Sequence, residues 1–433
     1  MIGFLRLLRA SLLATVSDWR QWSAYGAIVF ASAVVVGACL TGVESAGRAP
    51  APLGGMVSSW TTPAALMALA AGTTCLSTVS RLTQSQFDRT RRAWVCLGVM
   101  PWPGRALIIG EAATVALAAT GAGLGIVVAA AALWTPLPLA SGSLTLTTGP
   151  LVVIGTPSAV AVATAPAIVN AARRFPPRSR RRGTARIVST ILLTSSCLLA
   201  VRSMPSAPAG RDGAAGMVPW SLLVVALGAL TASRIAPGAA DIVLSGLERL
   251  LSRAPWNVTR LALRAFAVAV RQNGAGVAIP MIGVAVPGGL AAVFLAGDQA
   301  LRDAGAVAPT EATLNWPAAI SLAAAPALLA ALTGALVFIL SGPTRREAGR
   351  NLVAAGATPT LLRATAAAEA FLIWTLGTIS AVSVIALAAS PLLSATRASA
   401  GTWIAVVVNP LTLGCAALSL LALCLGSLVS RRT

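Results

Sequence analysis

The stretch REAGRNLVAAGATPTLLRATAAAEA (346–370) repeats part of an earlier segment of the chain at a constant spacing of 258 residues. Among the identities at this spacing, six define the repeat: Arg350, Gly356, Pro359, Arg363, Glu369 and Ala370 correspond to Arg92, Gly98, Pro101, Arg105, Glu111 and Ala112. The two segments align at this one spacing without an insertion or deletion, which indicates an internal duplication. Alanine is abundant in this chain, so the other five pairs carry the inference.

Each copy of the repeat lies between two long apolar segments. It holds a basic segment, a Gly-x-x-Pro turn, an arginine and then a glutamate just inside the next apolar run. Gly98 and Gly356 stand at the end of a helical pattern. Glycine tolerates the left-handed conformation at a helix C-terminus, and a proline shortly afterwards cannot continue the helix. Both residues therefore predict that a helix ends here. The pattern predicts a short cytoplasmic helix, a turn and a transmembrane helix in each copy.

The composition indicates a polytopic integral membrane protein. Of the 433 residues, 57% are hydrophobic and only 10% are charged, and the mean hydropathy is +0.83, which lies outside the range of soluble domains. All 32 basic residues are arginine, a usage typical of GC-rich bacterial genomes. Without lysine the chain cannot form the Gly-x-x-x-x-Gly-Lys loop that binds ATP phosphates, and without histidine it lacks the commonest acid–base and metal-binding side chain. We therefore expect no enzyme activity and no metal site in this chain.

Ten apolar runs are candidates to cross the membrane, whose hydrocarbon core needs about 20 apolar residues per helix. They lie at 24–42, 62–80, 106–134, 149–171, 187–204, 217–236, 275–297, 316–341, 366–391 and 402–429. Their order predicts an all-α polytopic protein in a 4 + 2 + 4 arrangement with duplicated four-helix units. The run at 187–204 is short and rich in serine and threonine, so a version without the fifth and sixth spans stays open.

The distribution of arginine predicts the orientation of the chain. With a cytoplasmic N-terminus, 27 arginines lie on the cytoplasmic side and 5 lie outside, a strong bias of the kind that sets membrane topology. Both termini then face the cytoplasm, and we expect the chain in the cell membrane. The net charge of +20 is explained by contact between these arginines and anionic lipid. We therefore expect membrane lipid and no nucleic acid as a partner.

The same features divide the chain into four segments. Residues 1–23 have arginines interrupting their apolar residues, which predicts an amphipathic helix on the cytoplasmic face rather than a signal peptide. Residues 24–172 hold the first four-helix unit. Residues 173–256 hold a basic linker and two further helices, and 257–433 hold the second unit with its own preceding amphipathic helix.

The two repeats resemble the FtsX-like permease family, whose signature is a basic segment, a Leu-Gly-Ala-Thr-like turn, an arginine at the helix start and a glutamate opening the next membrane helix. The second copy, LVAAGATPTLLRATAAAEAF (352–371), is close to this pattern. The first, WVCLGVMPWPGRALIIGEAA (94–113), keeps the frame but has Val-Met-Pro-Trp where Ala-Thr is usual. The best-known members carry a large outer domain after the first helix of a unit, whereas here the loops 43–61 and 298–315 are short.

The resemblance implies the membrane subunit of an ABC transporter, similar to the ten-helix permeases of peptide-antibiotic efflux and resistance. Two copies of a separate ATPase would supply ATP and magnesium, with no cofactor in this chain, and drive the movement of a lipid or an antimicrobial peptide. The residues carried over as coupling contacts are Arg92, Gly98, Pro101 and Arg105 in the first copy, and Arg350, Gly356, Pro359 and Arg363 in the second. Alternatives are a mechanical signalling subunit without transport, and a proton-coupled carrier.

Two acidic residues stand at the expected membrane edge. Glu111 and Glu369 are predicted in the first turn of their helices, where a carboxylate stabilises the helix dipole, and each can pair with the arginine six residues earlier. A structural role is the main hypothesis. The alternative is a proton relay or a site for a cationic substrate.

Overall fold

The computed structural model describes residues 19–86, 101–133, 137–139, 142–173, 182–202, 211–251, 276–303, 316–340, 342, 350, 353–354, 358–395 and 398–432. This part of the chain is helical apart from one short ribbon. The helices are α1 (Trp19–Arg48), α2 (Ala51–Gln86), α3 (Pro101–Leu133), α4 (Pro150–Arg173), α5 (Arg182–Arg202), α6 (Arg211–Leu251), α7 (Ala278–Asp303), α8 (Trp316–Leu340), α9 (Pro359–Ala395), α10 (Ala400–Val407) and α11 (Pro410–Arg432). Strands β1 (Leu137–Leu139) and β2 (Gly142–Leu144) pair antiparallel between α3 and α4.

Six of the described helices are long and apolar enough to cross a membrane. Their spans are Trp22–Arg48, Thr61–Ser80, Gly104–Leu133, Ala278–Gln299, Pro359–Ser394 and Pro410–Ser427. Shorter apolar stretches lie at Pro150–Ala165, Thr190–Arg202, Trp220–Ala236 and Pro326–Val337. Each of the ten predicted runs overlaps one of these stretches. The prediction of an all-helical membrane protein is thus confirmed in its coarse form, while the count of ten spans stays a prediction.

The ends of several helices differ from the predicted boundaries. The predicted loop 43–61 is helical except at Ala49 and Pro50, because Pro50 has no N–H to continue α1 and disfavours a helical residue before it. The predicted run 402–429 is broken after Val407 for a similar reason, since Pro410 cannot donate a backbone hydrogen bond. α1 begins at Trp19, so the end of the predicted segment 1–23 belongs to this helix, and 1–18 lies outside the described residues.

The chain forms two compact units, Met1–Gly183 and Thr184–Thr433. In the first unit α1 packs against α2, α3 and α4, and α4 also packs against α2 and α3. In the second unit α7 packs against α8, α9 and α11, and α11 also packs against α8 and α9. The five main helix pairs of the first unit therefore have five counterparts, in the same chain order, in the second.

In the second unit, two additional helices, α6 and α10, pack around α7. α6 packs against α7 and α9, and so does the short helix α10. In the most apolar stretch of α7, 89% of the residues are buried, against 39% in that of α1. α7 is therefore the central helix of its unit, and a larger share of its residues is buried than in α1.

Candidate functional site

The two repeats begin their transmembrane helices at matched residues. Pro101 is the first residue of α3 and Pro359 is the first residue of α9. Proline suits this position because its φ angle is already helical and its missing N–H would have no partner there. In the second copy the Thr358 hydroxyl accepts a hydrogen bond from the Leu361 N–H at 3.3 Å, which caps the helix. The sequence Thr-Pro thus sets the start of α9 locally.

The residues that follow the prolines have matching environments in the two helices. Arg105 and Arg363, each four residues into its helix, are exposed. Ala112 and Ala370, seven residues further, are buried. Each helix therefore turns the same side towards its own unit.

The structure describes only one of the remaining predicted coupling residues. Arg350 is helical and exposed. Arg92, Gly98 and Gly356 lie outside the described residues. Of the predicted set, Arg105 belongs to the first unit, whereas Arg350 and Arg363 belong to the second.

The two acidic residues lie deeper in their helices than predicted. α3 and α9 begin at the prolines, so Glu111 and Glu369 are each ten residues beyond the start, about 15 Å along the axis. Neither helix has an acidic residue in its first turn, and the expected dipole contact is wrong because the helix field falls off within one turn. Glu369 is buried and Glu111 is half-buried. Six residues rotate a helix by about 240°, so Arg363 and Glu369 lie on different sides of α9.

Sequence analysis missed a close approach of three helices in the first unit. Gly37 of α1 faces α3 and α4, and a Cβ atom added there would lie 3.0 Å from Val127 Cγ2 and 3.4 Å from Thr156 Oγ1. An added methyl group would force these side chains to shift by a few tenths of an ångström, so glycine at this position favours the close approach of the three helices.

The second unit has the same junction at corresponding residues. A Cβ atom at Gly288 of α7 would lie 2.5 Å from Thr412 Oγ1 and 2.9 Å from Ile385 Cδ1. Val127 and Ile385 keep the 258-residue spacing of the repeats, and Thr156 and Thr412 are 256 residues apart. Both threonine hydroxyls are buried and have no hydrogen-bond partner within the part of the chain that the structure describes. The spacing of Val127 and Ile385 was the one sequence signal that could have located the junction.

Polar contacts tie the first and fourth helices of the first unit together. Glu44 of α1 accepts hydrogen bonds through Oε2 from the N–H groups of Gly149 at 2.9 Å and Val152 at 3.2 Å. Its other oxygen, Oε1, accepts from Arg48 Nη2 at 3.0 Å. The carboxylate therefore caps the N-terminus of α4, which carries free N–H groups and a positive dipole end.

In the second unit an asparagine makes the corresponding connection. Asn409 is buried between α10 and α11, and its Nδ2 donates to Gly288 O at 3.2 Å and to Val406 O at 2.9 Å. Its Oδ1 accepts from the Thr412 N–H at 2.9 Å. The Asn409 side chain thus caps the N-terminus of α11, bonds the last turn of α10 across the break between the two helices, and connects this break to α7.

The described residues contain no group of three or more Cys, Asp or Glu side chains that could hold a metal ion. None of the described cysteines, Cys39, Cys75, Cys197, Cys415 and Cys424, forms a disulfide. The two units share a helix start with an exposed arginine and, 22 residues further along the same helix at Val127 and Ile385, a close junction with a glycine.

Comparisons with family models, with curated proteins and with solved structures found no match. The function is therefore inferred from the residues and contacts of this chain itself.

Proposed function

We propose that this chain is the permease subunit of an ABC transporter, with two FtsX-like four-helix units joined through two further helices. It spans the cell membrane ten times, with both termini in the cytoplasm. Two copies of a separate ATPase bind its cytoplasmic side and supply the energy of ATP hydrolysis. The transported molecule is hydrophobic or amphipathic, such as a lipid or an antimicrobial peptide.

One observation carries the proposal: the two repeats start their helices at the same residue of the motif. Pro101 and Pro359 begin α3 and α9, and Arg105 and Arg363 are exposed one turn later. A basic group at the start of a rigid helix is a suitable contact for a second protein, because a push on the turn moves the whole helix. Two such contacts in one chain fit a partner that is itself a dimer.

The packing behind each contact supports the coupling role. α3 and α9 each pack against the first helix of their unit, at Gly37 and Gly288. Interiors packed at this distance move as solid bodies and do not deform gradually. A displacement of either helix start is therefore transmitted to the helix that lies behind it.

The character of the spans supports the substrate class. Each of the six spans has a strongly apolar core with at most two charged residues. Charged groups are costly in a bilayer unless they are paired. A route along these helices therefore favours a molecule with apolar surface of its own.

The test is co-purification of ATPase activity with the affinity-tagged chain from its native membranes. Charge reversal at Arg350 and Arg363 together, or at Arg92 and Arg105 together, should lower the amount of bound ATPase. Reversal of all four should abolish it, because each exposed ion pair contributes only about 0–1 kcal/mol and the two sites reinforce each other. Reversal of Arg234 and Arg249, on the predicted cytoplasmic side but outside the repeats, is the matched control. Full retention of ATPase in the fourfold variant would remove the transporter proposal.

The buried Glu369 favours a second candidate, a proton-coupled carrier, over the mechanical signalling subunit. A carboxylate ten residues into a transmembrane helix is a possible proton site. Replacement of Glu369 by Gln would stop a proton-driven carrier, whereas an ATP-driven permease would keep its transport. Substrate transport in sealed vesicles, with either ATP or a pH gradient as the energy source, distinguishes the two.

A further inference from the structure

Many buried hydroxyl groups of the described helices are paired within their own helix. The Thr120 hydroxyl of α3 donates to Ala116 O at 2.7 Å, and the Thr333 hydroxyl of α8 donates to Leu329 O at 2.7 Å. Both threonines are buried. A bond to the carbonyl one turn earlier satisfies a hydroxyl in an apolar interior, where an unpaired polar group is costly.

The threonines at the two glycine junctions depart from this pattern. Thr156 of α4 is 0% exposed and Thr412 of α11 is 2% exposed, yet neither hydroxyl has a hydrogen-bond partner among the residues that the structure describes. Each hydroxyl faces the glycine of the first helix instead. Its oxygen lies 3.4 Å from a Cβ atom added at Gly37 and 2.5 Å from one added at Gly288. Each unit therefore carries the cost of one unpaired hydroxyl at this junction.

The same costly feature stands at the matched place in both units. Thr156 and Thr412 belong to the fourth helix of their units, and Gly37 and Gly288 belong to the first. Valine has the shape of threonine without the hydroxyl, so packing alone does not require an oxygen atom at either place. A buried polar group without a partner is a store of strain. Its presence in both copies indicates that the hydroxyl is used in another arrangement of the helices.

We propose that the Thr156 and Thr412 hydroxyls form a conformational switch within each unit. They destabilise the arrangement described here and favour a second one, in which the fourth helix has turned its threonine away from the glycine. The hydroxyl then donates to the carbonyl one turn earlier, Val152 O in α4 and Val408 O before α11, as Thr120 does in α3. Closely packed interiors change between discrete arrangements rather than gradually, so the unit has two states.

This switch differs from a lock in the sign of its effect. If the hydroxyls held the junction together, their removal would weaken the arrangement described here. Because they are unpaired in it, their removal strengthens it. The inference concerns the packing inside each unit and holds whether or not the chain transports anything. In a permease, the strain would lower the free energy that the ATPase must supply to move the first and fourth helices apart.

Thermal unfolding of the full chain in detergent tests the sign of the effect. Thr156→Val and Thr412→Val should each raise the unfolding midpoint by about 2–4 °C, because valine keeps the shape and removes an unpaired group. Thr120→Val and Thr333→Val are the matched controls, since these threonines are also buried but their hydroxyls are already bonded. The control variants should lower the midpoint or leave it unchanged.

A pair of spin labels tests for the second arrangement. Cysteines replace Ala38 and Ile154 in a background that lacks the native thiols, because both positions are exposed and adjoin the contact of Gly37 with Thr156. In lipid nanodiscs, dipolar broadening of the electron paramagnetic resonance spectrum should resolve two separations between the labels. Adding Thr156→Val should reduce the second population about tenfold, whereas adding Thr120→Val should leave both populations unchanged.

Three results would overturn the proposal. A lower midpoint for either junction variant would show that its hydroxyl holds the junction together. An unchanged midpoint would show that the hydroxyl turns in place to its own helix and carries no cost. A raised midpoint with a single separation between the labels would show that the hydroxyls only weaken the one arrangement that the unit has.

Discussion

At the residue scale, glycine at two positions sets how close three helices come. The contacts at Gly288 are tighter than those at Gly37, because the nearest atom to an added Cβ is at 2.5 Å in one and 3.0 Å in the other. At Gly288 that atom belongs to Thr412, a buried β-branched residue with little freedom to move. The second unit is therefore less tolerant of an added methyl group.

We expect Gly288→Ala to lower the thermal unfolding midpoint more than Gly37→Ala, with a loss of about 1–3 kcal/mol typical of an overpacked interior. Gly414→Ala is the control, because nothing lies within 4 Å of a Cβ atom there. The double variant Gly288→Ala with Thr412→Ala should recover part of the loss, since it removes the clashing hydroxyl. Equal midpoints for Gly288→Ala and Gly414→Ala in detergent would contradict the tight junction.

At the scale of the elements, the fourth helix of each unit is anchored to the first by a different side chain. Glu44 reaches the start of α4 from α1, and Asn409 holds the start of α11 to α7. In the second unit the anchor lies at a helix break, where backbone groups of α10 and α11 lose their helical partners. Such breaks are tolerated in membranes only where the freed groups find new partners. Asn409 provides two of them, through Val406 O and the Thr412 N–H, and its third hydrogen bond goes to Gly288 O of α7.

We expect Asn409→Leu to lower the thermal midpoint, because it leaves buried backbone groups unpaired. Each such group costs about 1–3 kcal/mol of the free energy of unfolding. Ser399→Ala is the comparison, because Ser399 caps α10 through the Thr402 N–H at 3.3 Å in an exposed setting. Water can replace that bond, so the second variant should cost less. A smaller effect for Asn409→Leu than for Ser399→Ala would mean that Asn409 is not the anchor.

At the scale of the whole molecule, arginine placement predicts which side of the membrane each loop occupies. The predicted cytoplasmic side holds 27 of the 32 basic residues. Basic residues near the inner leaflet are held there by anionic lipid. The predicted orientation thus depends on the entire chain rather than on one helix.

Cysteines placed in two loops test the orientation, in a background that lacks the native thiols. Ser179→Cys should react with a membrane-impermeant reagent only after the cells are opened, and Thr310→Cys should react in intact cells. Both positions lie outside the described residues, so the expectation comes from charge alone. Labelling of Ser179→Cys in intact cells would contradict the predicted orientation of the chain.

The sequence by itself determined the membrane class, the location of the apolar helices and the register of the two repeats. These are local properties: a run of apolar residues must match the bilayer thickness, and a Thr-Pro pair such as Thr358 and Pro359 sets a helix start from its own backbone. The sequence could therefore place Arg105 and Arg363 one turn after each proline. It placed Glu111 and Glu369 too near the helix starts, because the apolar pattern begins later than the helices do.

Only the tertiary structure decided which helices touch and where they are held. The bond from Asn409 to Gly288 joins residues 121 positions apart, and the one from Glu44 to Gly149 joins residues 105 apart. In an apolar chain almost any helix face can pack against another, so composition does not select the pairs. Selection comes from the fit of particular small and branched residues, such as Gly288 with Thr412 and Val225 with Gly289.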